Sequence, residues 1–505
     1  MMGRGVTLRG IVPLVLCASA AARIPLAGRS AFANYGLRCF CRDASASSTL
    51  ARGRQQLHSR RTTLLRSPVP ARSTASPRAE GQTPKGGVAR FLSSSDGDGA
   101  SSSPGDDLDQ RVKAAIAALP RRPHCAVVGA GFAGLATAYH LAAFGSDVTV
   151  FDPNEVGTGG ASSVAAGLLH PLTPRGKLIW KGEEGFVAAK ELIEVINARL
   201  VSEAGEEGGE GTSAPHAPRG CITTEKVYRP LMDEKQFDMF TKAAEDLPQW
   251  LQRLTREEYL EAVPGSDAEC LGGVCIRGAL AVDAPTYLGG VWAACRRAAN
   301  AGVSSGEDGV STEGGATWVR ESVENIHALE ASGEFNAVVA CVGAGVRKLA
   351  GVKDIASLRL YVVPSSVGGG ASGNGGKLLC GSTQEPVLAG EKVDKPADMR
   401  KAMRQLRPKA ARFFPAIEGV EPVGVTSGVR VIQDRNSYGR IPVAGRLPFS
   451  ENGWVIAALG ARGLIHHAYL GRLVAACALL NSDEHLPPQA MAPLEDLGKE
   501  ATGDL

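Results

Sequence analysis

The first ninety residues of this 505-residue chain almost lack acid: fourteen Arg and one Lys there meet only Asp43 and Glu80. That stretch carries +13, and subtracting it from the chain's +3 leaves −10 for residues 91–505. The basic isoelectric point therefore belongs to the leader, and the acidic body argues against broad nucleic-acid binding, which needs clustered Lys and Arg to displace counterions. Paired cysteines are missing too. The eleven Cys form no C-x-x-C pair and no His-bearing zinc spacing, so no metal site is expected. Cys125, Cys341 and Cys477 fall in apolar runs and read as small buried thiols. No apolar stretch reaches 18 residues, so a soluble mature protein without a membrane span is expected. Internal repeats are absent.

The leader has two parts. Arg4 and Arg9 precede an apolar run at 11–22 that ends in small residues, as a signal peptide does, and is too short to span a bilayer. An Arg/Ser/Ala-rich stretch follows to about Arg90, which is transit-peptide composition. The combination resembles the bipartite leader of secondary plastids, with Ser30-Ala31-Phe32-Ala33 as a Phe-containing cleavage motif. A plastid stroma address is expected, with the mitochondrion as the alternative.

Residues 91–110 contain a Ser/Gly/Asp linker, and structure is expected to begin near Arg111 with a helix to Leu119. Gly/Ser/Glu-rich patches at 204–215, 303–316 and 366–377 read as surface loops. Periodicity predicts helices at 183–203, 233–254, 286–301 and 396–412, the last with Lys401, Arg404 and Arg407 on a solvated face.

What is present is concentrated in one stretch. Val127-Val-Gly-Ala-Gly-Phe-Ala-Gly-Leu reads as a strand, a glycine turn and a helix, and a second strand closes at Val150-Phe151-Asp152. Gly129 allows the tight turn, Gly131 lets backbone approach a pyrophosphate, and Gly134 lets helix and strand pack closely. Phe132 and Ala133 open the helix, whose N-terminal N–H groups attract phosphate. Asp152, 18 residues after Gly134, is placed to accept hydrogen bonds from ribose hydroxyls. Dinucleotide binding follows. Two later segments repeat the theme. An apolar strand from Phe335 exits in Gly343-Ala344-Gly345, and a strand at 454–458 ends in Gly460-Ala461-Arg462-Gly463-Leu464 before a helix rich in small residues.

With these residues, the chain from about 123 to 480 resembles the D-amino-acid oxidase/glycine oxidase (DAO) family of FAD enzymes. The segment Gly159-Gly-Ala-Ser-Ser-Val-Ala-Ala-Gly-Leu-Leu-His-Pro171 is similar to the family's flavin-passing segment, and Gly428-Val-Arg430, with Asp434 and residues 442–445 downstream and the 460–464 turn after them, is similar to the last of its motifs. The resemblance implies an α/β (α+β overall) fold, a Rossmann-type FAD-binding domain with an interleaved antiparallel-sheet substrate domain. It places the oxidoreductase at 111–482, with FAD-binding segments near 123–175, 318–350 and 424–480, substrate segments near 220–285 and 355–423, and a tail at 483–505.

By the same resemblance, Ser162, Ser163, Ala166 and Gly167 run beside the pyrophosphate and flavin, with helix capping the alternative role of the two serines. Gly460, Gly463 and Leu464 face the flavin pyrimidine, where a helix N-terminus stabilises negative charge. Arg430 matches the arginine that grips a substrate carboxylate, Arg462 binds flavin or substrate, and both are the candidate catalytic residues. Tyr438 is placed either to close the pocket over a ligand or simply to follow the turn at Asn436-Ser437. His466 and His467 face different sides of their helix, and His170 is the candidate for a covalent flavin link. Lys177, Trp180 and Gly182-Glu-Glu have no counterpart in the family, and Leu358-Arg-Leu-Tyr-Val-Val-Pro364 stands where it has an Arg-Gly turn, so the substrate side chain is left open.

The implied activity is oxidation of a C–N bond of an amino acid or secondary amine by hydride transfer to flavin N5. The turn at 459–464 is also similar to the flavin domain of the bacterial enzyme that trims a carboxymethylaminomethyl group on tRNA wobble uridine. No methyltransferase domain fits in residues 1–120, which weighs against that alternative. A non-catalytic FAD-binding plastid protein is the third.

Overall fold

The computed structural model describes residues 15–17, 104–206, 220–267, 269–301, 315–349, 358–370, 377–381, 385–386, 399–419, 422–433, 440–448 and 450–502. Five strands run parallel in the order Ala316–Val319, Asp147–Phe151, His124–Val128, Ala337–Ala340 and Gly453–Ala457, and Val443–Arg446 closes the edge antiparallel. Both faces of the three central strands are buried, which is why Cys125 to Val128, Ala337–Ala340 and Gly453–Ala457 read as unbroken apolar runs. Cys125, Val127, Val148, Val150, Val339 and Ile456 point into the larger core. Ala126, Val128, Val338, Ala340 and Val455 point the other way into a second. From His124–Val128 the chain moves to one side through Asp147–Phe151, and later to the other side through Ala337–Ala340. The order therefore switches between two neighbouring strands, where open α/β sheets bind ligands at the strands' carboxyl ends.

Helix Phe132–Ala143 lies between this sheet and the late helix Gly463–Leu480. The two helices approach so closely at Gly471 that a Cβ there would sit 3.0 Å from the Thr137 nitrogen. The expectation that no apolar stretch reaches 18 residues needs one amendment. Residues Gly460–Leu480 are long and apolar enough to cross a membrane, but 67 % of that window is buried inside the protein. Their apolar faces meet Phe132–Ala143 and helix Gly182–Glu206, where a Cβ at Gly185 would lie 2.5 Å from the Ile465 carbonyl. This is a core helix.

A second sheet is antiparallel. Strand Leu358–Gly370 pairs along its length with Pro422–Gln433, and also with Lys377–Gly381 and Glu385–Pro386. The strand carrying Arg430, grouped from sequence with the cofactor segments, therefore belongs to this sheet. The patch at 366–377, read as a loop, supplies the end of one strand (to Gly370) and the start of the next (from Lys377). Two three-stranded antiparallel sheets come from Leu168–Leu169, Ile222–Thr224 and Leu280–Val282, and from Val227–Leu231, Leu251–Leu254 and Gly272–Ile276. Near the N-terminus, Val15–Cys17 runs parallel to Leu379, Cys380 and Gly381.

Several boundaries differ from the sequence reading for local reasons. The predicted helix at 233–254 stops at Asp246, because Pro248 drives Leu247 out of the helical region (φ −134°, ψ 58°), and Leu251–Leu254 then forms a strand. The first helix begins at Pro104, inside the expected linker. Proline suits a first turn, and Leu108, Val112 and Ile116 bury one face at i, i+4, i+8. Helix Ala284–Asn300 starts two residues early because Asp283 caps it by accepting from the Thr286 N–H, with Pro285 in its first turn. The expected tail contains helix Pro488–Thr502, whose Leu494 packs into the second core. Cys125, Cys341 and Cys477 are buried, and burial pushes each thiol up to about 12.

Candidate functional site

The glycine turn is wedged from both sides. Gly129 has φ +98°, its N–H donates to the Phe151 carbonyl at 2.8 Å, and a Cβ there would lie 2.6 Å from the Cys341 carbonyl oxygen. A Cβ at Gly134 would fall 1.8 Å from the Gly129 carbonyl oxygen. Helix Phe132–Ala143 thus presses its first turn onto the switch point, and its N-cap residue, Gly131, supplies no side-chain cap. The close approach at the exit of Ala337–Ala340 comes from Cys341 and Val342. At Gly343, φ is +51° and a Cβ would meet nothing within 4 Å, so conformation is what needs glycine there.

Asp152 does reach the turn. Its Oδ2 accepts from the Ala130 N–H at 2.8 Å, and its Oδ1 accepts from the Asn154 backbone N–H at 2.8 Å and side-chain amide at 3.0 Å. The carboxylate orders the turn and keeps further lone pairs for a ligand. Ser162 also arrives from a distance, its Oγ accepting from the Phe132 N–H at 3.1 Å. It caps a helix thirty residues upstream, whereas Ser163 donates to Gly160 O within its own turn. The segment carrying them is pinned at Gly167 (φ +69°), where a Cβ would lie 1.8 Å from the Val282 carbonyl. Ala166 is half-buried just before that pin.

Strand Pro422–Gln433 crosses this segment. Alternation along a strand puts residues 428, 430 and 432 on one face. At Gly428 that face touches the flavin-passing segment, with a Cβ 2.8 Å from Ala161 Cα and 2.9 Å from Val164 Cγ2. At Ile432 it touches the late turn. Ile432 bridges Leu459, and a Cβ at Gly460 (φ +59°) would lie 2.8 Å from Ile432 Cγ2. Arg430 stands between these contacts, half-buried. The opposite face, with Val429 and Val431, packs into the second core. Asp434 and Tyr438 lie outside the described residues.

Arg462 ends the late turn and is half-buried. Burial, and after it the charge of Arg440, push its guanidinium below its ordinary value, and its Nη1 donates to the Arg440 carbonyl at 3.4 Å. Gly463 sits over the first glycine turn, its Cβ position 3.5 Å from Phe132 Cδ2, and Leu464 is buried. The late turn and the helix it opens therefore touch both Phe132, the first residue of the Rossmann helix, and the Arg430 strand.

The two adjacent histidines part company. His467 Nδ1 donates to the Leu464 carbonyl at 2.7 Å, so Nε2 accepts from the Tyr287 hydroxyl at 2.8 Å. The Phe132 ring lies over both, 5.6 Å from His467 and 6.1 Å from Tyr287. His466 turns to Trp180, ring centroids 5.8 Å apart, and neither of its ring nitrogens has a hydrogen-bond partner among the described residues. Burial lowers His466 to about 3 and His467 to about 4. His170 is lowered to about 4 by burial and by Arg229, and its Nδ1 accepts from the Leu172 N–H at 3.2 Å. Lys177 is at the exposed tip of a hairpin-like loop, closed by the Thr173 N–H to Lys177 carbonyl bond, which returns Trp180 to the late helix. The contributions of Tyr287, Trp180 and Ile432 carried no motif in the sequence, whereas Ala161 falls inside the flavin-passing segment.

The chain matches the family model of FAD dependent oxidoreductases, DAO, over residues 124–477. It belongs to that family. Glycine oxidase from Geobacillus kaustophilus is similar at 20 % identity, TM-score 0.55, over 71 % of this chain and 95 % of that one. Glycine oxidase from Bacillus cereus ATCC 14579 is similar at 16 % identity, TM-score 0.52, over 72 % and 97 %. L-proline dehydrogenase from P. horikoshii is similar at 14 % identity, TM-score 0.53, over 76 % and 99 %. These likenesses establish the fold. No curated protein matches the chain. The protein is an FAD-dependent oxidoreductase, and its residues fit that cofactor. The turn has no room for side chains at Gly129 and Gly134, and the helix start beside it has no cap of its own.

Proposed function

We propose that the protein oxidises a C–N bond of an amino acid or secondary amine bearing a carboxylate. One observation carries this reading: a single face of strand Pro422–Gln433 meets the flavin-passing segment at Gly428 and the late turn at Ile432, with Arg430 between them. Gly129, Gly131, Gly134 and Asp152 would hold the ADP half of FAD, and 162–167 with 460–464 would line its path toward the flavin. Bound FAD supplies a hydride acceptor at N5. Arg430 grips the substrate carboxylate through its planar fork and so fixes the α-carbon. As the α-carbon gives up hydride, the amine nitrogen's lone pair closes a C=N bond and its proton passes to solvent; water then hydrolyses the imine. The buried histidines stay neutral at physiological pH and contribute no charge to this step. The test is the absorbance spectrum of the purified protein, followed by anaerobic bleaching with amino acids and N-alkyl glycines. Bleaching by one class supports the reading. A flavin spectrum that neither amine nor RNA bleaches refutes it and favours a binding role.

One surface favours the RNA alternative. Helix Met399–Ala411 carries Arg400, Lys401, Arg404, Arg407 and Lys409 with no acid, and all but Arg407 of these cations are exposed. A tRNA held there would dissociate with a salt slope of about −3 to −4, near one unit per exposed cation. A flat salt titration removes that reading. The leader's composition supports a plastid address over a mitochondrial one, and a fluorescent fusion to residues 1–110 checks it.

A further inference from the structure

Three helices meet at one buried polar pair beside the glycine turn. Tyr287, in the first turn of helix Ala284–Asn300, donates its hydroxyl to His467 Nε2 at 2.8 Å, and His467 Nδ1 donates to the Leu464 carbonyl at 2.7 Å. Both side chains are buried. Leu464 stands in the first turn of helix Gly463–Leu480, and Phe132, which opens the Rossmann helix, lays its ring over the pair and meets the Gly463 Cβ position at 3.5 Å. Two helix starts, each with N–H groups left over and partial positive charge, thus converge on this pair. Gly460 of the same late turn meets Ile432 on the Arg430 strand, so the late helix start lies between the phosphate-facing turn and the antiparallel sheet.

A carbonyl only accepts, so the Leu464 bond puts the proton on Nδ1 and leaves Nε2 to accept from Tyr287. Donation therefore runs one way, from hydroxyl to imidazole to carbonyl. The Leu464 carbonyl and the Ile465 N–H belong to one peptide unit, and that N–H is among those a helix start leaves without an intrahelical partner. Each donation polarises the next group, so a bond into the carbonyl makes the N–H a stronger donor.

We propose that Tyr287 and His467 are positioning residues for the flavin. Through the Leu464–Ile465 peptide they hold and polarise the start of the late helix, so that it stabilises the negative charge the ring gains on reduction. The inference needs bound FAD and is independent of which substrate the flavin oxidises.

The experiment measures the midpoint potential of the FAD-loaded protein by equilibration with a reference dye, and the dissociation constant of oxidised FAD from apoprotein, in the wild type, Y287F, H467Q and H467N. Y259F is the control: that ring is also buried, its hydroxyl accepts from Ser266 at 3.1 Å, and it lies in a separate core cluster with Leu254 and Val263. Y287F is expected to weaken the preference for reduced over oxidised FAD about 3- to 5-fold, a drop of about 15 to 20 mV where tenfold in a two-electron couple is about 30 mV. H467Q, which gives up the bond to Leu464, lowers the potential at least as far, and H467N, whose amide nitrogen takes the place of Nδ1, recovers part of it. Y259F loses stability and leaves the potential where it was. An unchanged potential in Y287F and H467Q overturns the inference and makes the pair a packing feature. Equal weakening of both redox forms also overturns it, and assigns the helix start to the phosphates. If H467Q does not fold, Y287F against Y259F decides the question.

Discussion

Replacing Gly134 by alanine tests the glycine turn most directly. The new Cβ would sit 1.8 Å from the Gly129 carbonyl oxygen, 2.9 Å from its carbon and 3.3 Å from Cys341 Cβ. Relief requires turn and helix to part by more than an ångström, and neither can retreat freely. Gly129 is backed by the Cys341 carbonyl and tied to Phe151 O, while the helix is backed by Gly471 against Thr137 N. The cost should stand at the upper end of overpacking, about 3 kcal/mol. Moving the helix start away from the phosphate position should also weaken FAD by about 30-fold or more, equivalent to about 2 kcal/mol. Denaturant midpoints at constant m-value and fluorescence titration with FAD read the two effects separately. Gly289→Ala is the control: it lies inside helix Ala284–Asn300 with nothing within 4 Å of its Cβ position, and should stabilise by about 0.5–1 kcal/mol. A G134A protein that retains full FAD and wild-type stability would refute the reasoning.

Asp152→Asn keeps an acceptor but removes the charge that orders the Ala130 and Asn154 N–H groups. FAD affinity should fall about tenfold, checked by titration of apoprotein, and no change would mean the carboxylate serves only the turn. Tyr287→Phe leaves the buried His467 Nε2 without its donor and should cost about 1–3 kcal/mol in a chemical denaturation series; a neutral result would place a water there. Stability should also depend on pH in a set direction. Burial holds His140 and His466 near 3, and His170 and His467 near 4, well below an unfolded value of about 6.5. The unfolded chain therefore binds the extra protons. Stability is fully present above pH of about 6.5 and falls as pH drops toward 4, by up to about 1.4 kcal/mol per histidine per unit. A melting temperature that is flat or rising from pH 7 to 5 would contradict this.

The chemistry of the cofactor site was legible wherever it depended on neighbours in sequence. Gly129, Gly131 and Gly134 declare a turn because sterics within six residues decide it, and a strand buried on both faces must be apolar throughout. Helix ends at Pro104 and Pro248 obey equally local rules, but at Pro104 the Ser/Gly/Asp composition masks the helix start and at Pro248 the apolar period runs on into a strand. The fate of Ser162 was different. Its hydroxyl could cap its own turn or a distant one, and only the path of the chain sends it to Phe132 while Ser163 bonds to Gly160. His466 and His467 are chemically identical in sequence, yet one gains Tyr287 and Leu464 as partners and the other gains the Trp180 ring.

Composition and local motif alone determined that this chain has a basic first ninety residues, an acidic remainder and a dinucleotide turn, and resemblance added the DAO family's ordered set of segments. Backbone conformation and hydrophobic alternation act over a few residues, and residue identity is enough to settle them. Tertiary structure alone decided that strand Pro422–Gln433 pairs with Leu358–Gly370 rather than joining the parallel sheet, and that one of its faces spans from Ala161 to Gly460. It also left Arg462 half-buried beside Arg440, with no acid paired to it among the described residues. Those outcomes join residues from 22 to nearly 300 positions apart, where burial and packing of the whole core choose among pairings that sequence spacing leaves equal.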